Sequence, residues 1–163
     1  MIATRAINLT LHSQEDSPLY AVLSLDRLHL LLLQQEIAVL KPSLDVKLMG
    51  DVSGRAGWID FKGGRWPVYC LSAELEGLLE IPPNQRICVL LKKEDRYFGI
   101  VCAQVGTLQA AQLRLSPVPA CMQSPWTPIQ ALTVGGKQVL CVTSAARLWK
   151  FIKHSNEGAK AQP

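Results

Sequence analysis

Short apolar runs separated by turn signals dominate the pattern along the chain. Residues 20–25 and 27–33 are two such runs with Asp26 between them, and they predict a strand pair or one bent strand. The stretch 33–40 that comes next fits either a helical turn or a continuing strand. The whole pattern predicts about seven or eight short strands and two or three short helices, which is typical of a mainly β protein built as a barrel or as two small barrels.

Two segments carry clear hairpin signals. In residues 86–105, β-forming runs flank a charged turn at 93–96. In residues 129–142, Gly135 and Gly136 separate two β-forming runs. Two adjacent glycines favour a tight primed turn, because glycine readily adopts the positive φ that such a turn needs. Each segment therefore predicts an antiparallel strand pair.

The stretch GWIDFKGGRWPVYCL, residues 57–71, predicts a third hairpin. A strand at 58–61 is followed by a turn at 62–65, and a second strand restarts at Trp66. Because Pro67 lacks the N–H that a strand ladder uses, this strand starts there or runs along an edge. The turn precedes a strand and not a helix N-terminus, so the glycines do not form a phosphate-binding loop.

Two segments predict helices. Residues 71–83 place four leucines at helical spacing, with Ser72 as the N-cap and two prolines at the end. Residues 144–154 predict a C-terminal helix that Thr143 or Ser144 can cap.

The length of 163 residues fits one ordinary domain, or two small lobes that share a core. We expect an N-terminal arm at 1–18, a domain at 19–153 and a flexible tail at 154–163. Within the arm, residues 6–12 alternate apolar and polar side chains and fit a short strand.

Composition narrows the function classes. Hydrophobic residues make up 48% of the chain and charged residues 18%, which describes a well-packed globular protein. The net charge of +4 is scattered without a block of like charges, and this favours a solvated basic surface over a nucleic-acid site. The run of four leucines at residues 30–33 is far too short to span a membrane. Without a secretory signal in the sequence, we expect a cytoplasmic protein with no direct membrane insertion.

Enzyme signatures are absent from the sequence. It contains no G-x-S-x-G and no H-E-x-x-H, and its Gly-Gly-Lys lacks the other P-loop residues. The five cysteines are widely spaced without a C-x-x-C, so they are interpreted as reduced thiols, mostly in the core. His29 lies between leucines and is interpreted as a half-buried core residue. The sequence therefore predicts no metal site and no cofactor, and it contains no local catalytic motif, which leaves open catalysis by residues that are distant in the sequence.

The third hairpin also carries a family resemblance. Its order of residues, Gly57, Phe61, Lys62, Gly63, Pro67, Val68 and Leu71, is similar to the signature hairpin of the CheW family, the coupling proteins of bacterial chemotaxis. Residues 86–108, with their Gly-Ile-Val, and residues 116–148 resemble two further parts of the family pattern in the same order. The resemblance covers about residues 19–152.

This chain departs from the family pattern at several positions. Lys62 stands where the family usually has arginine, and Cys70 stands where it usually has aspartate. Ala103-Gln104 replaces an Asp-Gly pair, and residues 25–27 replace a Gly-Gly turn. A lysine keeps the positive charge but not the bidentate fork of arginine. The chain therefore resembles a divergent member of the family.

The resemblance implies a fold, partners and site residues. The fold would be mainly β, with two small five-stranded β-barrel subdomains that share a core, and a few short helices including a C-terminal one. The protein would be a non-enzymatic adaptor between a chemoreceptor cytoplasmic tip and the regulatory domain of a CheA-type histidine kinase. The implied receptor-binding residues are Gly57, Lys62, Gly99 and Gln34, and the implied kinase-binding residues are Glu36 and Ile37.

Substitutions at two of these positions give a first expectation. If Gly99 and Lys62 line the receptor groove, Gly99→Asp and Lys62→Glu should each lower receptor affinity without unfolding the protein.

Two other functions stay open at this point. One is a CheW-like accessory scaffold of a type IV pilus or another chemosensory system, which the departures favour. The other is a small β-barrel module that binds nucleic acid or a small ligand, for which Lys62, Arg65 and Trp66 are candidate residues.

Overall fold

The computed structural model describes residues 18–48, 54–135 and 137–161. This part of the chain holds twelve strands and one α-helix, numbered here in chain order. They are β1 (Leu19–Leu25), β2 (Leu28–Leu33), β3 (Ile37–Pro42), β4 (Lys47–Leu48), β5 (Gly57–Phe61), β6 (Gly64–Leu71), β7 (Gly77–Leu78), β8 (Ile87–Lys93), β9 (Arg96–Cys102), β10 (Gln104–Gln109), β11 (Ala131–Gly135), β12 (Gln138–Val142) and α1 (Ala145–Ala161). The strand expected at 6–12 lies outside the described residues.

The strands form two sheets, and each sheet with the residues packed inside it is called a lobe. The first lobe has five strands in the order β10-β1-β2-β12-β11. The second lobe has seven, in the order β3-β8-β9-β6-β5-β4 with β7 beside β6. The mainly β prediction is confirmed. The expected five strands are found in the first lobe, whereas the second adds β4 and β7, each only two residues long.

A parallel pairing between strands distant in the sequence joins the two halves of each sheet. In the second lobe β6 runs parallel to β9, with Val68 beside Gly99. In the first lobe β12 runs parallel to β2, with Val142 beside Leu31. These pairings join hairpins that are far apart in the sequence, so the lobes are more than rows of adjacent hairpins.

Three apolar clusters fill the space inside and between the lobes. The largest lies between the sheets and against α1, and it includes Leu30, Val89, Phe98 and Leu148. Smaller clusters lie on the opposite face of each sheet, inside the lobe. Strands such as β8 alternate between two clusters and are buried on both faces. Such strands have near-continuous apolar sequences, which explains the run at residues 87–91.

All three predicted hairpins are present. β5 and β6 turn at Lys62 and Gly63, β8 and β9 turn at Glu94 and Asp95, and β11 pairs with β12. Pro67 lies just before β6 begins to pair with β9, where its missing N–H costs the sheet nothing on that side.

The helix predicted at 71–83 is wrong. Leu71 ends β6, and the chain reverses so that β7 pairs with β6. The Ser72 hydroxyl accepts hydrogen bonds from the N–H groups of Glu74 and Glu76, as an N-cap would. Leu75, however, has a φ of 63°, which a right-handed helix cannot contain. The Ser72 side chain therefore makes the hydrogen bonds that were predicted for an N-cap, but they stabilise a turn between β6 and β7 and not a helix.

The C-terminal helix is confirmed and is longer than expected. The Ser144 hydroxyl caps it by accepting a hydrogen bond from the Arg147 N–H at 3.2 Å. The helix continues to Ala161, past the residue 154 at which the tail was expected to begin. The boundaries of arm, domain and tail stay predictions.

Candidate partner-binding surface

The two glycines implied in receptor binding lie in one row across the second lobe. Gly57 of β5 pairs with Val68 of β6, and Val68 pairs with Gly99 of β9. Both glycines are buried. Neighbours in a row face the same side of a sheet, and here that side faces the cluster inside the second lobe, which contains Val68.

A side chain at either glycine would collide with the chain itself. A Cβ at Gly99 would lie 2.8 Å from the Cys88 Sγ and 3.0 Å from a Val68 methyl carbon. A Cβ at Gly57 would overlap the backbone carbonyl oxygen of Lys47. The packing of the second lobe is therefore sufficient reason for both glycines. It also argues against the expectation that Gly99→Asp leaves the fold intact, because the carboxylate would enter the core.

Lys62 lies at the exposed tip of the β5–β6 hairpin. Its backbone adopts a left-handed conformation, with φ at 48°. Its ammonium lies 5.4 Å from the ring centre of Phe61 and 6.0 Å from that of Tyr97. These distances fit weak cation–π contacts at an exposed site. The tip therefore presents a positive charge that rests on aromatic rings.

The rings under Lys62 form a compact aromatic cluster. Tyr97 makes edge-to-face contacts with Phe61 at 5.1 Å and with Trp66 at 5.2 Å between ring centres. The Trp66 indole N–H donates a hydrogen bond of 2.9 Å to the Phe61 carbonyl oxygen. Such contacts hold the two ends of the hairpin turn together.

More cations surround the same hairpin. Lys47 of β4 and Arg65 of β6 lie 3.0 Å and 3.8 Å from the carboxylate of Asp60. The Lys41 ammonium donates to the Asp60 carbonyl oxygen at 3.0 Å. The hydrogen bond from Lys47, more than any other contact, lowers the pKa of the Asp60 carboxyl. Lys47 and Arg65 lie near the Asp60 carboxylate, Lys41 contacts the Asp60 carbonyl oxygen, and Lys62 lies over the rings of Phe61 and Tyr97. We call Lys41, Lys47, Lys62 and Arg65 the basic tip.

The other implied residues lie where the chain passes from one lobe to the other. Gln34 and Glu36 belong to a short 3-10 turn that follows β2 and precedes β3. Gln34 is exposed. The Glu36 carboxylate accepts a hydrogen bond of 3.1 Å from the Ala145 N–H at the start of α1. Ile37 is partly buried and packs against the cluster between the lobes. Glu36 thus joins this crossover to the helix and serves the fold directly.

The structure separates the implied residues into three places. Gly57 and Gly99 are internal, Lys62 is at an exposed hairpin tip, and Gln34, Glu36 and Ile37 are at the crossover between lobes. Their roles in receptor or kinase binding stay predictions.

The basic tip was only partly visible in the sequence. Lys41 and Lys47 lie far from Lys62 along the chain. Lys47 reaches the hairpin because β4 pairs with β5, and Lys41 of β3 reaches it through its hydrogen bond to the Asp60 carbonyl oxygen. No local motif connects them. β4 has only two residues, so its sequence does not indicate on which face of the sheet Lys47 lies.

Three of the five cysteines are buried free thiols, as the interpretation of core cysteines predicts. Cys70, Cys88 and Cys102 are free and buried, whereas Cys121 is exposed. Burial raises the pKa of Cys70 to about 11 and that of Cys88 to about 12, so these thiols stay protonated. His29 is half-buried and its Nδ1 lies 3.0 Å from the Ser24 hydroxyl.

Metal-ligating side chains are not gathered in the described part of the chain. Within residues 18–48, 54–135 and 137–161, no group of three or more His, Cys, Asp or Glu side chains is placed to hold a metal ion. In the same ranges, α1 lacks the length and apolarity that a membrane span requires.

The architecture is similar to that of a solved scaffolding protein, CheW from Thermoanaerobacter tengcongensis. The match has a TM-score of 0.60 at 13% sequence identity, and it covers 78% of this chain and 88% of that chain. This chain has a CheW-like fold. No protein-family model matches the sequence, and no curated protein matches it. The CheW-like fold is therefore shown by three-dimensional similarity and not by sequence similarity.

Proposed function

We propose that this chain is a non-enzymatic scaffold that couples chemoreceptors to a CheA-type histidine kinase in a chemotaxis-like array. The observation that carries the proposal is the CheW-like fold, shared with a protein named as a scaffold. A core continuous between two lobes supports the proposal, because such a body holds two partners at a fixed separation. A shift of one partner can then bias the other through differential contacts.

The receptor side of the proposal rests on the basic tip. Lys62 is exposed, and its charge is in excess over the single carboxylate of Asp60. An acidic residue on the receptor tip would pair with it, and like-charged partners would be disfavoured. Gly57 and Gly99 contribute by keeping β4, β6 and β9 close together, which sets the position of the hairpin. The kinase side is proposed at the crossover between the lobes, at Glu36 and Ile37.

The test is a binding measurement of the purified chain with a receptor cytoplasmic tip and with a kinase regulatory domain. Lys62→Glu should weaken receptor binding about 10-fold, or ~1.4 kcal/mol, and leave kinase binding unchanged. The matched control is Lys137→Glu, which makes the same charge change at an exposed position between β11 and β12 of the first lobe.

Two results would oppose the proposal. One is a folded parent protein that binds neither partner at micromolar concentration. The other is Lys62→Glu with the same receptor affinity as Lys137→Glu, which would remove the basic tip from the interface. A panel of receptor tips, including those of pilus-type chemosensory systems, separates the chemotaxis array from the accessory scaffold.

The basic tip also favours a second candidate function, binding of single-stranded nucleic acid. Cations beside partly exposed aromatic rings, here Phe61, Trp66 and Tyr97, are the usual platform for stacked bases. Binding of this kind weakens steeply with salt. Salt-sensitive retention on single-stranded DNA that Lys62→Glu abolishes would support it, and flow-through at low salt would exclude it.

A further inference from the structure

The sheet of the first lobe is open between its two outer strands. Its order begins with β10 and ends with β11, and no pairing among the described residues joins these two strands. One edge of β11 pairs with β12 along its whole length. On the other edge, the described residues provide one bridge only, in which Leu132 and Ser116 exchange two backbone hydrogen bonds of 2.7 Å and 2.8 Å. A cavity of about 510 Å³ lies beside this bridge.

The backbone of Val134 has no partner at this opening. Residues two apart in a strand point their N–H and C=O groups to the same side. Since Leu132 bonds to Ser116 on the side away from β12, the N–H and C=O of Val134 also point away from β12. No described residue bonds to them. This edge of β11 therefore offers a free backbone donor and a free acceptor, and such edges attract another strand.

A buried hydroxyl beside the same edge also lacks a partner. Thr133 is only 2% exposed and lines the cavity, and no described residue forms a hydrogen bond with its hydroxyl. A buried hydroxyl without a partner costs stability, whereas a valine of the same shape would not carry that cost. The fold therefore retains a polar group that is available to a molecule entering the cavity.

The other groups around the cavity define what fits there. Arg114 is exposed at the cavity, and no acidic residue lines it among those described. On the outer face of β11, Val134 and Val139 form a cross-strand pair and are 69% and 55% exposed. A strand added at this edge would meet apolar side chains on one face, a hydroxyl on the other, and a positive charge nearby.

We propose that the open edge of β11 binds an extended, acidic segment of a partner protein, which adds to the sheet as a further strand. The backbone of the segment would exchange hydrogen bonds with Val134, and main-chain bonds of this kind supply the affinity in strand addition. Residues paired across two strands lie on the same face of the sheet. The residue opposite Val134 would therefore be apolar, and the residue opposite Thr133 would carry a polar group for its hydroxyl.

Charge favours a partner segment over a second copy of this chain. The chain has a net charge of +4, and Arg114 adds a positive charge at the cavity itself. Opposite charges favour encounter with an acidic segment, and like charges disfavour a basic partner. The site lies in the first lobe, away from the basic tip of the second lobe. It therefore adds a third partner to the proposed coupling of receptor and kinase.

Hydrogen exchange of the Val134 amide, followed by NMR on the full chain, tests the proposal. The probe is a synthetic peptide of alternating valine and threonine with glutamates at both ends. If its Kd is about 100 µM, peptide at about 1 mM should slow exchange of this amide about 10-fold. The same peptide with N-methylated valines lacks the donor for the Val134 carbonyl oxygen and should have no effect. The Thr133 amide faces β12 and should stay protected throughout, which shows that the lobe is folded.

A substitution at the unpaired hydroxyl separates ligand binding from a role in the fold. Thr133→Val should raise the urea midpoint of the free chain and weaken peptide binding about 3-fold to 10-fold. The matched control is Thr143→Val, because the Thr143 hydroxyl is also buried but donates a hydrogen bond of 2.7 Å to the Pro128 carbonyl oxygen. This control should lower the urea midpoint and leave the affinity for the peptide unchanged.

The charge requirement is tested from both sides of the interface. Arg114→Glu should weaken binding of the glutamate peptide about 3-fold, as expected for one exposed charge. Arg147→Glu makes the same change at an exposed position of α1 and should have no effect. A peptide with lysines in place of the glutamates should bind more weakly than the original.

Five outcomes would overturn the proposal. The first is a Val134 amide that is already protected in the free chain, because the edge would then be covered by this chain or by a second copy. The second is unchanged exchange with the glutamate peptide at about 1 mM. The third is equal slowing by the N-methylated peptide, and the fourth is equal binding of the lysine peptide. The fifth is a fall in the urea midpoint for Thr133→Val that matches Thr143→Val. None of these outcomes bears on receptor or kinase binding, which the Lys62→Glu measurement tests separately.

Discussion

The two lobes differ in how completely their own residues fill and enclose them. Inside the second lobe, six apolar residues are buried, and Phe61, Trp66 and Tyr97 extend the cluster to its edge. In the first-lobe cluster only Leu31, Leu140 and Val142 are buried apolar residues among those described, and the buried Thr133 hydroxyl has no hydrogen-bond partner among the described residues. The two lobes therefore differ in how many buried apolar residues fill them. The second lobe should therefore tolerate substitutions less well than the first.

The largest expected effect is a loss of stability when one glycine in each lobe is replaced by aspartate. Gly99→Asp places a carboxylate against Cys88 and Val68, and it should cost about 4 kcal/mol or more of unfolding free energy. Gly106→Asp in β10 meets no atom within 4 Å and should cost at most about 1 kcal/mol. Urea unfolding measures both. Equal losses in the two variants would mean that the lobes are equally tolerant.

The next effect is a loss of stability in alkali that originates in the second lobe. Burial raises the pKa values of Cys88 and Cys102 to about 12, above the usual thiol value of 9.0. The unfolded chain therefore releases these protons first. The stabilisation is complete below pH 9 and is lost as the pH rises towards 12, by about 1.4 kcal/mol per pH unit for each thiol.

Removing one buried thiol should flatten that decline. Cys88→Ala lowers stability at neutral pH through its cavity, but its free energy of unfolding should fall less steeply above pH 9. Cys121→Ala removes an exposed thiol and serves as the control. Parallel pH curves for Cys88→Ala and the parent would show that this thiol does not titrate differently in the folded state.

A smaller effect concerns the crossover that joins the lobes. Glu36→Ala removes the acceptor for the Ala145 N–H and should cost about 1–2 kcal/mol of unfolding free energy. Glu36→Gln retains an acceptor oxygen and should cost less. Gln34→Ala, an exposed neighbour, is the control and should stay within about 0.5 kcal/mol of the parent. If Glu36→Ala and Gln34→Ala match, the hydrogen bond contributes nothing to stability.

The sequence predicted the local features of this fold. Each hairpin had its turn residues and flanking β-formers within about twenty positions, and each is present. The false helix at 71–83 shows the limit of local signals, since the Ser72 cap is there but strand pairing decides the course of the chain after it. The parallel pairings of β6 with β9 and of β12 with β2 join distant segments and left no periodic trace.

The candidate site was harder to predict for the same reason. Lys62 was found because it lies in a hairpin with family-like spacing. The lysines around it arrive through strand pairing, and burial of Gly99 depends on neighbours from β6 and β8. An interior glycine can leave room for a partner in a groove, or it can leave room for neighbouring atoms of its own sheet. The atoms that a Cβ would touch decide between the two, and a single sequence does not show them.

The order of strands along the chain has a consequence for biosynthesis. All seven strands of the second lobe come from one uninterrupted stretch between Ile37 and Cys102, whereas the first lobe combines segments from both sides of that stretch. During translation the second lobe can assemble as soon as Cys102 has left the ribosome. β1 meets its partner β10 directly after Cys102, but β2 must wait for the last third of the chain before its partner β12 exists. The nascent protein therefore carries an apolar hairpin with the β2 edge unpaired for that interval, and this is the period in which a chaperone would recognise it.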